Sequence, residues 1–233
     1  MTEDLMASSI KVVTSDFPPF QITLNDKVEG LATEVIKNVV TNAGMTPDIQ
    51  IYPWPRAYKI AITESNVLIY SISRIPEREK LFKWIGVIAP YDVYFWKLSQ
   101  RTDIKVETID DAKKYLVGGV NSDIKAMFLE KEGFKIGKNL SLVNSDDLNI
   151  RMLHAKRIDI IPSEEFSFRS RLKSANLDTD QFTKLMKISG LPNELYLAAS
   201  LATPDEVVEK LRHSLNEFTK TKQFKTIQKQ FKY

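Results

Sequence analysis

The 233-residue chain contains no cysteine, which excludes a disulfide framework, a thiolate-held zinc and a catalytic thiol. Histidine is nearly absent too. His154 and His213 lie far apart without acidic neighbours at metal spacing, so a packing or surface role is expected of each and no metal site. No run approaches the ~18 apolar residues of a membrane-spanning helix. Charge of one sign does not dominate either: 33 basic and 30 acidic residues leave a net charge of +3, spread along the chain. That gives no basis for nucleic acid or an anionic bilayer as a partner. Lys220, Lys222, Lys225, Lys229 and Lys232 read as the solvated face of a terminal helix. There is no glycine-rich phosphate loop, no G-x-S-x-G elbow and no H-E-x-x-H, which removes the common routes to nucleotide, acyl-transfer and zinc chemistry.

What remains is enough for a substantial core, because 43% of the residues are hydrophobic. Met1 to Met6 lacks the basic start and apolar centre of a signal peptide, so an exported protein would be represented here by its mature form. Strands alternate with helices, which predicts α/β layers. Ile10–Thr14 reads as a strand, Leu31, Val35, Ile36, Val39 and Val40 share one helical face ending near Gly44, and Ile49–Tyr52 is again β-like. Pro55 starts a helix through Ile62, and Val67–Ile72 is an apolar strand. A second series follows the strand Val93–Leu98. It has a capping-box start at Thr108, a strand at Tyr115–Val120, and a helix from Ser122 to Glu132 closed by Gly133. Next come a Ser145-capped helix and a strand at Ile158–Ile161. Glu194–Ala199 is a further strand, Thr203-Pro204-Asp205-Glu206 predicts a capped helix start, and a last helix carries Phe224, Ile227 and Phe231. The closing helices have no strand partner of their own and are expected to pack back on the first series.

The most informative segment runs from Tyr70 to Trp84. There an apolar strand empties into Ser71, Ser73, Arg74 and Arg78 just before a helix expected to start at Pro76. Strand ends and helix N-termini expose unpaired backbone N–H groups, and an arginine adds a permanently charged planar fork. The combination predicts an anion receptor.

The order of these motifs resembles the periplasmic solute-binding proteins of the polar amino acid ABC importer type. The resemblance covers nearly the whole chain, from Val12–Phe20 through Val28–Val35 to Leu195–Ala198. Arg74-Ile75-Pro76-Glu77-Arg78 is similar to the family's T-x-x-R element, and Leu153–Asp159 to its passage into the second-lobe strand. The resemblance implies a two-lobed α/β periplasmic binding protein type II fold, each lobe a mostly parallel sheet flanked by helices, joined by two crossing strands. Lobe 1 would be residues 1–96 plus 195–233 and lobe 2 residues 97–194, closing on a solute in the cleft. It also implies a monomeric, non-enzymatic periplasmic protein without cofactor, whose partners are a small carboxylated solute and a membrane ABC permease.

Residue by residue, the resemblance implies that Arg78 clamps the solute's carboxylate beside Ser73, with Arg74 as the alternative clamp. Tyr70 and Ser71 belong to the same strand end. Phe17, next to Asp16, would stack on the solute, and Trp54 or Tyr52 would form a second wall beside Arg56; core packing is the alternative for each aromatic. Trp84 and Trp96 are expected in the core. In lobe 2, Asn121 and Ser122 would contact the carboxylate from a helix N-terminus, although Asp123 departs from the family pattern by opposing an anion. Glu164, with Ser163, would receive the solute's ammonium; equally, Ser163-Glu164-Glu165 reads as an N-cap followed by two first-turn acids. Two other roles stay open: a sensor module reporting to a membrane partner, and a cyclohexadienyl dehydratase-like lyase of the same fold using Glu164 or Asp16.

Overall fold

In the computed structural model the described residues are 8–230. Phe231, Lys232 and the Met1–Met6 segment lie outside them. In chain order the first elements are β1 (Ser9–Thr14), β2 (Ile22–Leu24), β3 (Lys27–Glu29), α1 (Leu31–Asn42), β4 (Thr46–Ile51), α2 (Trp54–Thr63), β5 (Val67–Ile72) and β6 (Phe82–Pro90). The middle of the chain forms β7 (Val93–Leu98), α3 (Ile109–Ala112), β8 (Val117–Val120), α4 (Ile124–Lys131), β9 (Leu140–Val143), α5 (Asp146–His154), β10 (Ile160–Glu164), α6 (Glu165–Ser174) and β11 (Phe182–Lys187). It closes with β12 (Glu194–Ser200), α7 (Asp205–Thr219) and α8 (Lys222–Gln230).

These elements make two compact units: Met1–Pro90 with Glu194–Tyr233, and Tyr91–Asn193. Unit 1 is built on a sheet of order β4-β1-β5-β12-β6. β1 pairs parallel with β4 and β5, while β12 runs antiparallel between β5 and β6. β5 is buried along almost its whole length, as a central strand covered on both faces must be, and this is why it reads as an unbroken apolar run. α1 buries Val35, Ile36, Val39 and Val40, and on the α2 side Ala57 and Ala61 pack with Val13, Ile69, Ile72 and Trp84. The closing helix α7 does return to unit 1. Its Ser214 hydroxyl donates to the Val39 carbonyl at 2.7 Å, and Arg212 donates through Nη2 to the Trp84 carbonyl at 2.7 Å.

Unit 2 repeats the plan with order β11-β7-β10-β8-β9. Here β7 is the antiparallel member, between β10 and β11, while β8 pairs parallel with β9 and β10. Its core joins Trp96, Leu98, Leu153, Ile161, Phe168 and Phe182. Trp84 and Trp96 are both buried, as expected.

Several local expectations are corrected. Pro76 starts only a three-residue 3-10 turn ending at Arg78, because the chain turns straight into β6, whose Phe82, Trp84, Ile85 and Ile88 belong in the sheet core. Thr203 does not cap α7; its hydroxyl pairs with Ser200 at 2.9 Å, and Pro204 stands at the cap position without a side-chain bond. The helix expected from Ser122 begins at Ile124 and is capped by Asp123. β7, expected as the exit strand of the first lobe, pairs entirely with strands of unit 2, and the unit boundary falls at Pro90/Tyr91.

Between β1 and α1 the chain folds over the end of the unit 1 sheet. Phe17 and Gln21 exchange backbone hydrogen bonds, and the first helical N–H groups of α1 donate to the carbonyls of Pro19 and Phe20. Gly30 makes the joint possible. Its φ is +120°, and a Cβ there would lie 2.5 Å from the Phe20 carbonyl oxygen. Gly30→Ala is expected to lower the unfolding free energy by about 2–4 kcal/mol in urea titrations, from combined backbone strain and steric overlap.

Candidate ligand-binding site

In unit 1 the site is assembled at the C-terminal ends of the parallel strands β1 and β5. Gln21, buried, bridges them: its Nε2 donates to Thr14 Oγ1 at 3.1 Å and its Oε1 accepts from Ser71 Oγ at 2.8 Å. Ser71 holds a φ of +57° inside β5, where the pairing with β12 shifts register between Tyr70 and Ile72. Two residues on, buried Ser73 offers its carbonyl to Arg78 Nη1 at 3.2 Å. Arg78 is only 6% exposed. Its guanidinium packs over the rings of Trp54 and Tyr58, 5.4 and 5.3 Å from their centroids. Such packing fixes the plane and direction of the fork, as a bidentate receptor requires.

Arg74 is placed differently. Its side chain is about two-fifths exposed, and Nε and Nη2 donate to both oxygens of Glu79 at 2.9 and 2.5 Å. It also lies over Trp84 and Tyr196. Its fork is therefore already engaged by a carboxylate of the chain.

Phe17 is half-buried and stacks on Phe20 at 4.7 Å, with an interplanar angle of 11°. Asp16 beside it is exposed. Arg56 is exposed and lies over the Tyr52 ring at 4.5 Å, while the Tyr52 hydroxyl donates to Gln50. Tyr70 is a core residue: it is fully buried and its hydroxyl is hydrogen-bonded to Thr33 at 2.8 Å, with burial pushing its titration upward. Its side chain thus leaves the candidate set, being enclosed in the core with its hydroxyl engaged by Thr33.

In unit 2 the candidates gather where β8 and β10 meet the helices that follow them. Asn121 and Ser122 are exposed, Ser122 at a φ of +61°, and Asn121 Nδ2 donates to Asn144 at 2.9 Å. Asp123 caps α4, its Oδ1 accepting from the Lys125 backbone N–H at 2.7 Å. Ser163 is buried; its carbonyl accepts from the Trp96 indole at 3.1 Å. The N-cap of α6 is Glu164, not Ser163, with one oxygen on the Phe166 N–H at 2.9 Å and the other on the Ser167 N–H at 2.7 Å. Burial pushes the Glu164 carboxyl up to about 7, and the two backbone N–H groups and Lys125 only partly oppose that rise.

Sequence reading missed Gln21, Tyr58, Lys125 and Asp146. Tyr58 sits four residues after Trp54 on α2, a helical spacing that could have paired the two rings. Nothing in the sequence distinguished buried Lys125 from the many surface lysines.

No protein-family model and no curated protein matches the sequence. Solved structures do match over nearly the full length. A histidine kinase sensor domain with similarity to periplasmic binding proteins superimposes with a TM-score of 0.86 at 17% identity, covering 97% of this chain and 96% of that one. An ancestral arginine-binding protein bound to arginine gives 0.83 at 16%, covering 98% and 100%. An amino acid ABC transporter substrate-binding protein from Streptococcus pneumoniae, bound to L-arginine, gives 0.79 at 15%, covering 97% and 95%.

The raised Glu164 titration carries a sign that can be measured. Its folded pKa exceeds its unfolded value, so the native state holds the extra proton and its stability falls as pH rises from about 4.5 to 7. Relative to Glu164→Gln, the wild type is expected to lose about 2–3 kcal/mol across that window in paired urea titrations. Against that pair of curves, the likeness to solved structures establishes one thing about this chain: it has the two-sheet α/β fold of periplasmic binding proteins.

Proposed function

We propose that the chain is a periplasmic solute-binding protein that captures a small carboxylated solute, an amino acid or close analogue, with Arg78 as the carboxylate clamp. The observation that carries this reading is the buried Arg78 guanidinium, oriented by Trp54, Tyr58 and the Ser73 carbonyl. A guanidinium so placed meets a carboxylate with little reorganisation, and preorganisation is what raises affinity for a small guest. Phe17 and Trp54 supply apolar walls, with Asp16, Arg56, Ser71 and Ser73 at the same strand ends; Asn121, Ser122, Ser163 and Glu164 are the contributions of unit 2. Arg74 is the lesser candidate because Glu79 already fills its fork. Hinge closure on the solute and delivery to an ABC permease are the further parts of the proposal, resting on the family resemblance. No helix among the described residues is long and apolar enough to cross a membrane.

A sensing role is the second reading, favoured by the likeness to a histidine kinase sensor domain. In that case the same ligand would be reported to a membrane partner. Linkage offers the test: a ligand at about 100 times its Kd stabilises the folded state by about 2.7 kcal/mol, visible as a raised melting temperature. A thermal-shift screen of amino acids, dicarboxylates, polyamines and small peptides is expected to give hits only among carboxylates. Arg78→Lys keeps the charge but not the fork and should weaken a hit by about 30-fold in calorimetry. Arg74→Ala should change it by less than about threefold; the reverse ranking would move the clamp to Arg74.

A further inference from the structure

The carboxylate reading above is the premise of this inference, which narrows the solute class. Where α4, α5 and α6 begin, unit 2 gathers Asp123, Asp146 and Glu164, the kind of acids that would receive a ligand's ammonium. A cation is already among them. Lys125, with its side chain 5% exposed, sets Nζ 3.3 Å from Asp123 Oδ2 and 3.6 Å from Asp146 Oδ1, and its charge also acts on Tyr91 and Glu164. Lysine is almost never buried this deeply unless paired. Burial opposes its charge, but Asp123 and Asp146 more than offset that and hold it protonated.

The neighbouring acids are engaged as well. Asp123 also caps α4, Glu164 spends one oxygen on each of two α6 backbone N–H groups, Asp147 pairs with Arg171 at 2.8 Å, and Glu165 pairs with Arg169 and Lys184. Each helix N-terminus carries about half a positive charge. Three of them together with Lys125 nearly balance Asp123, Asp146 and Glu164, so this end of unit 2 is close to neutral without any ligand. A Glu164 carboxyl pushed up to about 7 is moreover partly protonated near neutral pH and is a weak acceptor for an ammonium.

We propose that Lys125 is a tethered stand-in for a ligand ammonium, and that the solute class is therefore small carboxylates whose recognition does not require an α-amino group. The carboxylate end is read by Arg78, and the acids that would demand an amine are satisfied internally.

The test compares matched pairs by calorimetry: glutamate with glutarate, phenylalanine with 3-phenylpropionate, and arginine with 5-guanidinopentanoate. In the wild type the two members of the best-binding pair are expected to differ by less than about fivefold, since the acids at the helix starts of unit 2 are already engaged by Lys125 and by backbone N–H groups. Lys125→Met vacates the seat and should shift preference toward the amino member by at least about tenfold, while Lys125→Arg, which keeps the cation, should not. The wild-type comparison needs no variant and stands even if Lys125→Met does not fold. An amino member bound more than about 100-fold tighter by the wild type, with both members weakened about 30-fold in Arg78→Lys, would overturn the inference and leave the carboxylate reading intact. Binding of neither member of any pair would overturn the carboxylate reading itself, and this inference with it.

Discussion

A guanidinium taken out of water and packed over two aromatic rings is the constraint around which unit 1 is arranged. Burying Arg78 is costly unless its charge is compensated and its donors are used. Among its partners are the Ser73 carbonyl and the faces of Trp54 and Tyr58. Those rings are themselves held in place: Tyr58 packs edge-on to Phe82, and Phe82 to Trp84. The aromatic chain thus runs from the candidate site into the sheet core, so the direction of the fork is set by core packing. The strand ends are fixed equally firmly, with Gln21 tying Thr14 of β1 to Ser71 of β5.

Unit 2 solves a related problem with opposite charges. Its three acids at helix starts would repel one another and resist burial, and Lys125 is the internal counter-ion that makes the arrangement tolerable. The two units therefore share a sheet plan but differ in electrostatic character. One holds a buried cation against aromatic faces; the other holds a buried cation between two carboxylates, Asp123 and Asp146.

Much of the fold was legible because its signals are local. The apolar run of β5, the α1 stripe from Val35 to Val40, the capping box at Thr108 and the Ser145 cap each follow from spacing and cap chemistry, and each is present. The failures share a cause. Pro76 and Thr203 look like helix starts by composition, but tertiary packing takes the chain into β6 in the first case and ties Thr203 to Ser200 in the second. The β2–β3 hairpin was overlooked although Asn25-Asp26, both at positive φ, is a turn pair of the kind such hairpins use. At the site, the unbroken apolar run of β5 would have placed Tyr70 in the core and removed it from the candidates. Nothing local could have shown that Glu79 fills the Arg74 fork or that Lys125 is buried, since both depend on three-dimensional packing.

The central claim is that the Arg78 fork grips a carboxylate. Its most direct measurement is the NMR spectrum of the arginine side-chain Nε and Nη groups during titration with a carboxylate that raises the melting temperature. The account predicts that the Arg78 signals, assigned by their loss in Arg78→Lys, shift and that rotation of the guanidinium slows as the ligand saturates, because two parallel hydrogen bonds immobilise it. Saturation of the protein with the Arg78 signals unchanged would contradict the account.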